Sequence, residues 1–245
     1  MKSVDVLPAV LLHGFAQNRD CWGPLADRLA KDRPLTAVDL PGHGASAAVH
    51  TDLWGAGRYV LDAASPGPCA LIGYSLGGRV ALHAALTAPE RVAKLVLIST
   101  TAGLEDATER AKRRAADEKL ADHIEAVGID AFVDEWLQNP LFAGLTDETR
   151  FVAERRKNDP AGLASSLRLA GTGTQEPLWD RLGELTMPTL VIAGENDPRY
   201  EVYAERLASS IGDHSMLVVV GGSTHSPHLE KHEAVVELIA AWLSN

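Results

Sequence analysis

Residues 69–79 read C-A-L-I-G-Y-S-L-G-G-R. An apolar run, Cys69 to Gly73, breaks at Gly73-Tyr74-Ser75-Leu76-Gly77 and continues into a helix-like stretch, Leu76 to Ala88. This is G-x-S-x-G between a strand and a helix, the setting in which a sharp turn presents a serine at a sheet edge. The glycines on either side let the chain turn and let neighbouring backbone pack close. Serine is a poor nucleophile or base until a neighbour takes its proton. Arg79, four residues on, falls one turn along the same helix face, so a permanent cation stands beside the serine.

The same punctuation recurs outward from this stretch. Apolar runs at Ala9–Leu12, Leu35–Leu40, Lys94–Ser99, Thr189–Ala193 and Met216–Val220 each end in a turn rich in Gly, Pro, Asn or Asp. None alternates with polar residues, so both faces of every strand are expected to be buried, as in a parallel sheet. Helix-like stretches separate them: Trp22–Lys31, Asp52–Ala64, Leu76–Ala88, Glu201–Ile211 and His232–Leu243. The alternation predicts an α/β fold, an open and mostly parallel doubly wound sheet. Between Thr100 and Leu185 it stops, and charged, helix-like sequence takes over. Residues 1–100 and 183–245 are therefore read as the core, and 101–182 as a helical cap inserted over the sheet's C-terminal edge, where open α/β sheets bind ligands.

Strand ends supply the serine's partners in chain order. Asp197 lies in G-E-N-D after the next-to-last strand, and His225 in G-G-S-T-H after the last. Acid, histidine and serine, each at a strand end, form the expected triad of Ser75, Asp197 and His225. His228 is the rival base, less well spaced from its strand. The amides of Phe15, after His13-Gly14, and of Leu76 are the expected oxyanion hole. His13 is read as a structural hydrogen-bonding residue. Asp39 and His43, in D-L-P-G-H-G, are read as loop-shaping residues.

Composition bounds the partners. The 245-residue chain has a formal net charge of -10, which disfavours nucleic acid and anionic membrane surfaces. An acidic total does not exclude an anionic substrate, because local charge decides binding. Cys21 and Cys69 fit no metal spacing and are expected as buried thiols; the histidines show no metal-ligand spacing either, and no metal or cofactor is expected. No run reaches membrane-spanning length. A cytoplasmic protein is expected, a monomer or weak homo-oligomer.

With the elbow and the ordered triad in place, the sequence resembles the α/β-hydrolase superfamily over nearly its whole length. E-W-L-Q-N-P-L-F (135–142), G-L-A-S-S-L-R-L-A-G-T-G (162–173), Leu178-Trp179, A-T-E-R-A-K-R-R (107–114) and Y-S-L-G-G-R at the elbow narrow the resemblance to the MenH-like synthases of menaquinone biosynthesis. That resemblance implies a carbon–oxygen lyase, with pyruvate eliminated from 2-succinyl-5-enolpyruvyl-6-hydroxy-3-cyclohexene-1-carboxylate. It also implies three arginines serving a small tricarboxylate. Arg79 matches the first, Arg113 the second, and Arg155 or Arg156 the third; Tyr74 and Trp136 match pocket positions. Arginine clamps a carboxylate with a planar fork that lysine lacks.

The chain departs from the family pattern at Thr224, where a glycine usually precedes the histidine, and at Pro227. Both are expected to bear on the His225 backbone. The N-terminus also leaves little room for the leading antiparallel strands common in the superfamily. A serine esterase or carbon–carbon bond hydrolase is the alternative enzyme, and a ligand receptor on the same fold the non-enzymatic one.

Overall fold

The structure, a computed structural model, describes residues 6–244. Six strands form one sheet in the order β2-β1-β3-β4-β5-β6, parallel at every pairing. They are β1 (Ala9–Leu12), β2 (Leu35–Val38), β3 (Cys69–Tyr74), β4 (Val92–Ile98), β5 (Thr189–Gly194) and β6 (Ser215–Val220). The helices are α1 (Pro24–Leu29), α2 (Leu53–Ala63), α3 (Leu76–Thr87), α4 (Ala107–Trp136), α5 (Val152–Arg155), α6 (Pro160–Ala170), α7 (Pro198–Ile211), α8 (Pro227–Glu230) and α9 (His232–Ser244). No antiparallel strand occurs among the described residues; Met1 to Asp5, where the short N-terminus was noted, lie outside them.

Successive strand side chains point to opposite faces, which gives the sheet two apolar layers. Val10, Leu12, Leu71, Leu95, Leu97 and Val191 pack under α2, α3 and α7. Leu11, Ile72, Val96, Ile98, Leu190 and Ile192 pack under α1 and α9. This two-sided cover makes β1, β3 and β5 wholly buried. The expectation of full burial fails for β2 and β6. They are the two edges, and each has only one lateral neighbour; Met216 and Val219 on β6 are 39% and 37% exposed.

Helix boundaries follow local chemistry. Asp52 caps α2, its carboxylate accepting the Gly55 amide at 2.7 Å. The helix expected from Trp22 starts at Pro24, because Trp22 belongs to a 3-10 turn and proline suits the first helical position. Pro198 likewise starts α7 three residues before Glu201. Among the described residues, no helix is long and apolar enough to cross a membrane.

From residue 99 to residue 188 no strand forms among the described residues. Here α4 bends at Gly128, whose φ of 79° and ψ of 172° leave the helical region. Phe132, Val133, Leu137, Phe142, Leu163 and Leu167 from this segment form a third apolar cluster, which meets the core at Ala16 and Leu229.

Candidate active site

Ser75 sits between β3 and α3 with φ 52° and ψ -107°, a conformation L-residues avoid. The surroundings hold it there. The Ser75 amide donates to the Ile98 carbonyl at 2.9 Å, and the Ser75 carbonyl accepts from Thr100 Oγ1 at 2.8 Å. At Gly77 a Cβ would collide with the Leu12 carbonyl, so only glycine lets α3 approach β1 this closely.

His225 Nδ1 lies 2.6 Å from Asp197 Oδ2, and its Nε2 lies 3.3 Å from Ser75 Oγ. The Asp197 and His225 side chains are each 5% exposed. The structure therefore brings Ser75, His225 and Asp197 into one hydrogen-bonded line at the C-terminal edge of the sheet. Thr224 does not disturb it. Its amide and hydroxyl both reach the Glu230 carboxylate at 2.7 Å, and the Ser226 amide reaches the same carboxylate at 3.0 Å. Pro227 takes the first position of α8 and so carries Glu230 back beneath the loop. Glu230 is a residue that sequence reasoning missed.

The amides of Phe15 and Leu76 make no intramolecular hydrogen bond among the described residues, and both residues line the cavity that contains Ser75. His13 shapes the first of these loops: its Nδ1 donates to the Gly14 carbonyl at 2.8 Å and its Nε2 accepts the Leu40 amide at 3.0 Å. Asp39 accepts the amides of Arg19 and Ala45, and His43 Nε2 accepts the Ala16 amide. His228 is buried between Trp22 and Tyr74, away from Ser75, and burial pushes its pKa down to about 3. Both cysteines are buried and free.

The cavity has a volume of about 300 Å³, within the range of small-molecule sites. Three of the four expected arginines line it. Arg79 is 8% exposed, and Nη1 donates to the Ala170 carbonyl at 2.6 Å. Among the described residues no carboxylate pairs with it, and burial lowers its pKa to about 10. Arg155 is 1% exposed and, among the described residues, bonds only carbonyls, those of Arg150 and Ala16. Burial lowers its pKa too. Arg113, from α4, is partly neutralised by Asp117 at 2.8 Å.

Arg156 is not in the cavity. It lies at the surface of the segment between β4 and β5, paired with Asp130 and Asp134. Consecutive helical residues differ by about 100° in direction, so only one of the pair can face inward. Tyr74 and Trp136 line the wall; Tyr74 donates to or accepts from Ser226 Oγ at 2.7 Å, and Trp136 Nε1 is buried without an acceptor. Tyr200 was not anticipated. It packs on the His225 ring at 4.3 Å between centroids, and only its place at the start of α7, three residues after Asp197, hinted at this.

A model of the alpha/beta hydrolase family matches residues 9–238. The chain belongs to the alpha/beta hydrolase family. Within it, the relatives are enzymes. A Bacillus subtilis (strain 168) protein provisionally named 2-succinyl-6-hydroxy-2,4-cyclohexadiene-1-carboxylate synthase is 36% identical, covering 96% of this chain and 90% of its own. The synthase of that name from Escherichia fergusonii is 32% identical over 94% and 91% of the two chains. The solved structure of MenH from S. aureus superimposes with a TM-score of 0.91 at 29% identity, covering 99% of this chain and 95% of the other. The alpha/beta hydrolase sheet, with strands parallel throughout, is what places the ends of β1, β3, β5 and β6 around one cavity.

Proposed function

We propose that the protein is a carbon–oxygen lyase of menaquinone biosynthesis, a 2-succinyl-6-hydroxy-2,4-cyclohexadiene-1-carboxylate synthase. The carrying observation is the pair of buried guanidiniums, Arg79 and Arg155, that share a wall with Ser75 and have no carboxylate of their own. A buried cation without a counter-charge is costly, and an anionic ligand removes that cost. Arg113 adds a third cation from the cap, residues 101–182, offset in part by Asp117, so the cavity is locally positive in a chain of net charge -10. Three cations suit a tricarboxylate and are wasted on a neutral ester.

In this reading the reaction is proton abstraction followed by elimination. Asp197 orients His225, whose Nε2 takes the proton from Ser75 Oγ. The serine oxygen removes the ring proton next to the succinyl ketone. The Phe15 and Leu76 amides hold the resulting enolate oxygen. Electrons return through the ring, the carbon–oxygen bond to the enolpyruvyl group breaks, and the leaving enolate takes a proton to become pyruvate. That proton is the one held on His225, and Ser75 already carries the proton taken from the ring, so serine and histidine both return to their starting states.

Purified protein mixed with the enolpyruvyl substrate should release pyruvate in step with growth of the diene absorbance. A burst of p-nitrophenol from p-nitrophenyl acetate, with no pyruvate from the tricarboxylate, would instead make it an esterase.

Three arginine variants sharpen the reading. Arg79→Lys keeps the charge and loses the fork, so kcat/KM should fall about ten- to a hundredfold, the equivalent of one charge-assisted hydrogen bond. Wild-type kinetics would remove Arg79 from the site. Arg156→Ala should stay within about threefold of wild type, because exposed ion pairs contribute roughly 0–1 kcal/mol. Arg155→Met should lose tenfold or more in kcat/KM. Equal losses in both, measured side by side with melting temperatures, would reverse the assignment of Arg155.

A further inference from the structure

We infer that Gln17 is a substrate-binding residue that donates, beside Arg155, to one carboxylate of the anionic ligand; this rests on the reading of the cavity as an anion site. Gln17 is 2% exposed and lines the cavity with Phe15, Ser75 and Arg155. Three bonds fix it. Its amide donates to the Gly14 carbonyl at 3.2 Å, its carbonyl accepts Asn158 Nδ2 at 3.3 Å, and its Oε1 accepts the Gly14 amide at 3.0 Å. The last bond assigns the side-chain orientation, since a flipped amide would set N–H against N–H. Nε2, with two donors, is then buried without an acceptor. Native interiors rarely leave such a group unpaired unless something else completes it.

Arg155 shows what is missing. Its Nη1 donates to the Ala16 carbonyl at 3.2 Å, which brings the guanidinium against the residue before Gln17. Its Nε is occupied by the Arg150 carbonyl. That leaves Nη2 as the guanidinium nitrogen without a hydrogen bond among the described residues, and Nη1 keeps one of its two N–H groups. A carboxylate bound by Nη2 has further lone pairs to satisfy, and Gln17 Nε2, in the wall of the same cavity, is a free donor. Both groups only donate, so the pair selects an acceptor such as a carboxylate over a group that needs to donate.

Gln17→Glu separates this role from a structural one. A glutamate still accepts the Gly14 amide, so the turn that presents Phe15 is kept, but its second oxygen faces the ligand in place of two donors. With the enolpyruvyl tricarboxylate, KM should rise about ten- to a hundredfold and the loss should fall mainly on KM rather than kcat. Succinate, used as a probe of anion binding, should raise the melting temperature of the wild type and not of the variant. Gln17→Met, which loses the donors without adding charge, covers the case in which the glutamate chain does not fold, with about a tenfold rise in KM expected. A KM within twofold of wild type and an unchanged succinate shift would overturn the inference and leave the lyase reading standing. If the wild type releases no pyruvate, the lyase reading fails and succinate alone decides: a shift lost in the variant supports Gln17, whereas a retained shift, or none in the wild type, overturns it.

Discussion

Ser75→Ala and His225→Ala should each lower pyruvate release by about 10³- to 10⁴-fold, and the double variant should be little worse than either alone. The magnitude is that of losing a positioned general base, and the non-additivity follows from one shared proton transfer. The geometry motivates it: Asp197 Oδ2, His225 and Ser75 Oγ stand in line at 2.6 and 3.3 Å, and Tyr200 packs against the imidazole. Single-turnover rates for the three variants, with folding checked by circular dichroism, provide the measurement. Losses that multiply in the double variant would show that the two residues act in different steps.

Acid should unfold the protein between about pH 6 and pH 4, through histidines rather than carboxylates. Burial pushes His13 and His83 down to about 4, and His43 and His228 to about 3, all from 6.5. Each is 1% exposed or less. In the unfolded chain these four bind protons below pH 6.5, while in the folded chain they stay neutral. The stability they carry is thus complete above pH 6.5 and drains as pH falls toward their folded values. At pH 4.5 each contributes a loss on the order of 2 kcal/mol, so the four together are comparable to the whole stability of a typical domain. Urea unfolding across this range should show ΔG falling by up to about 5 kcal/mol per pH unit below pH 6, the slope of four protons. His83→Gln should reduce that slope by one proton. A flat ΔG from pH 6.5 to 5 would show that water or rearrangement admits the charged forms.

The strands and the elbow were legible in the sequence because their signals are local. An apolar run ending in glycine needs no distant partner to be read, and the order of Ser75, Asp197 and His225 follows from strand ends that one sheet must align. Burial of each strand was not legible. Met216–Val220 is as apolar as Thr189–Ala193, yet β6 is an edge and β5 is not, and only lateral pairing decides that.

The cavity wall divides the same way. Arg79 could be placed from the sequence because it rides the helix that begins at Ser75. Arg155 and Arg156 are chemically identical neighbours, and the sequence left them equal. The orientation of α5 separates them, turning one guanidinium inward and the other toward Asp130 and Asp134. Gln17, Tyr200 and Glu230 carried no local signal strong enough to single them out, since a lone polar residue in a loop or on the first turns of a helix reads as solvated surface. Their positions depend on contacts across long stretches of chain: Gln17 with Asn158, Tyr200 with His225, and Glu230 with a loop that also reaches Leu141. The sequence alone determined which strand ends converge. Tertiary packing decided which side chains meet there, because the direction of a side chain depends on every element packed against its own.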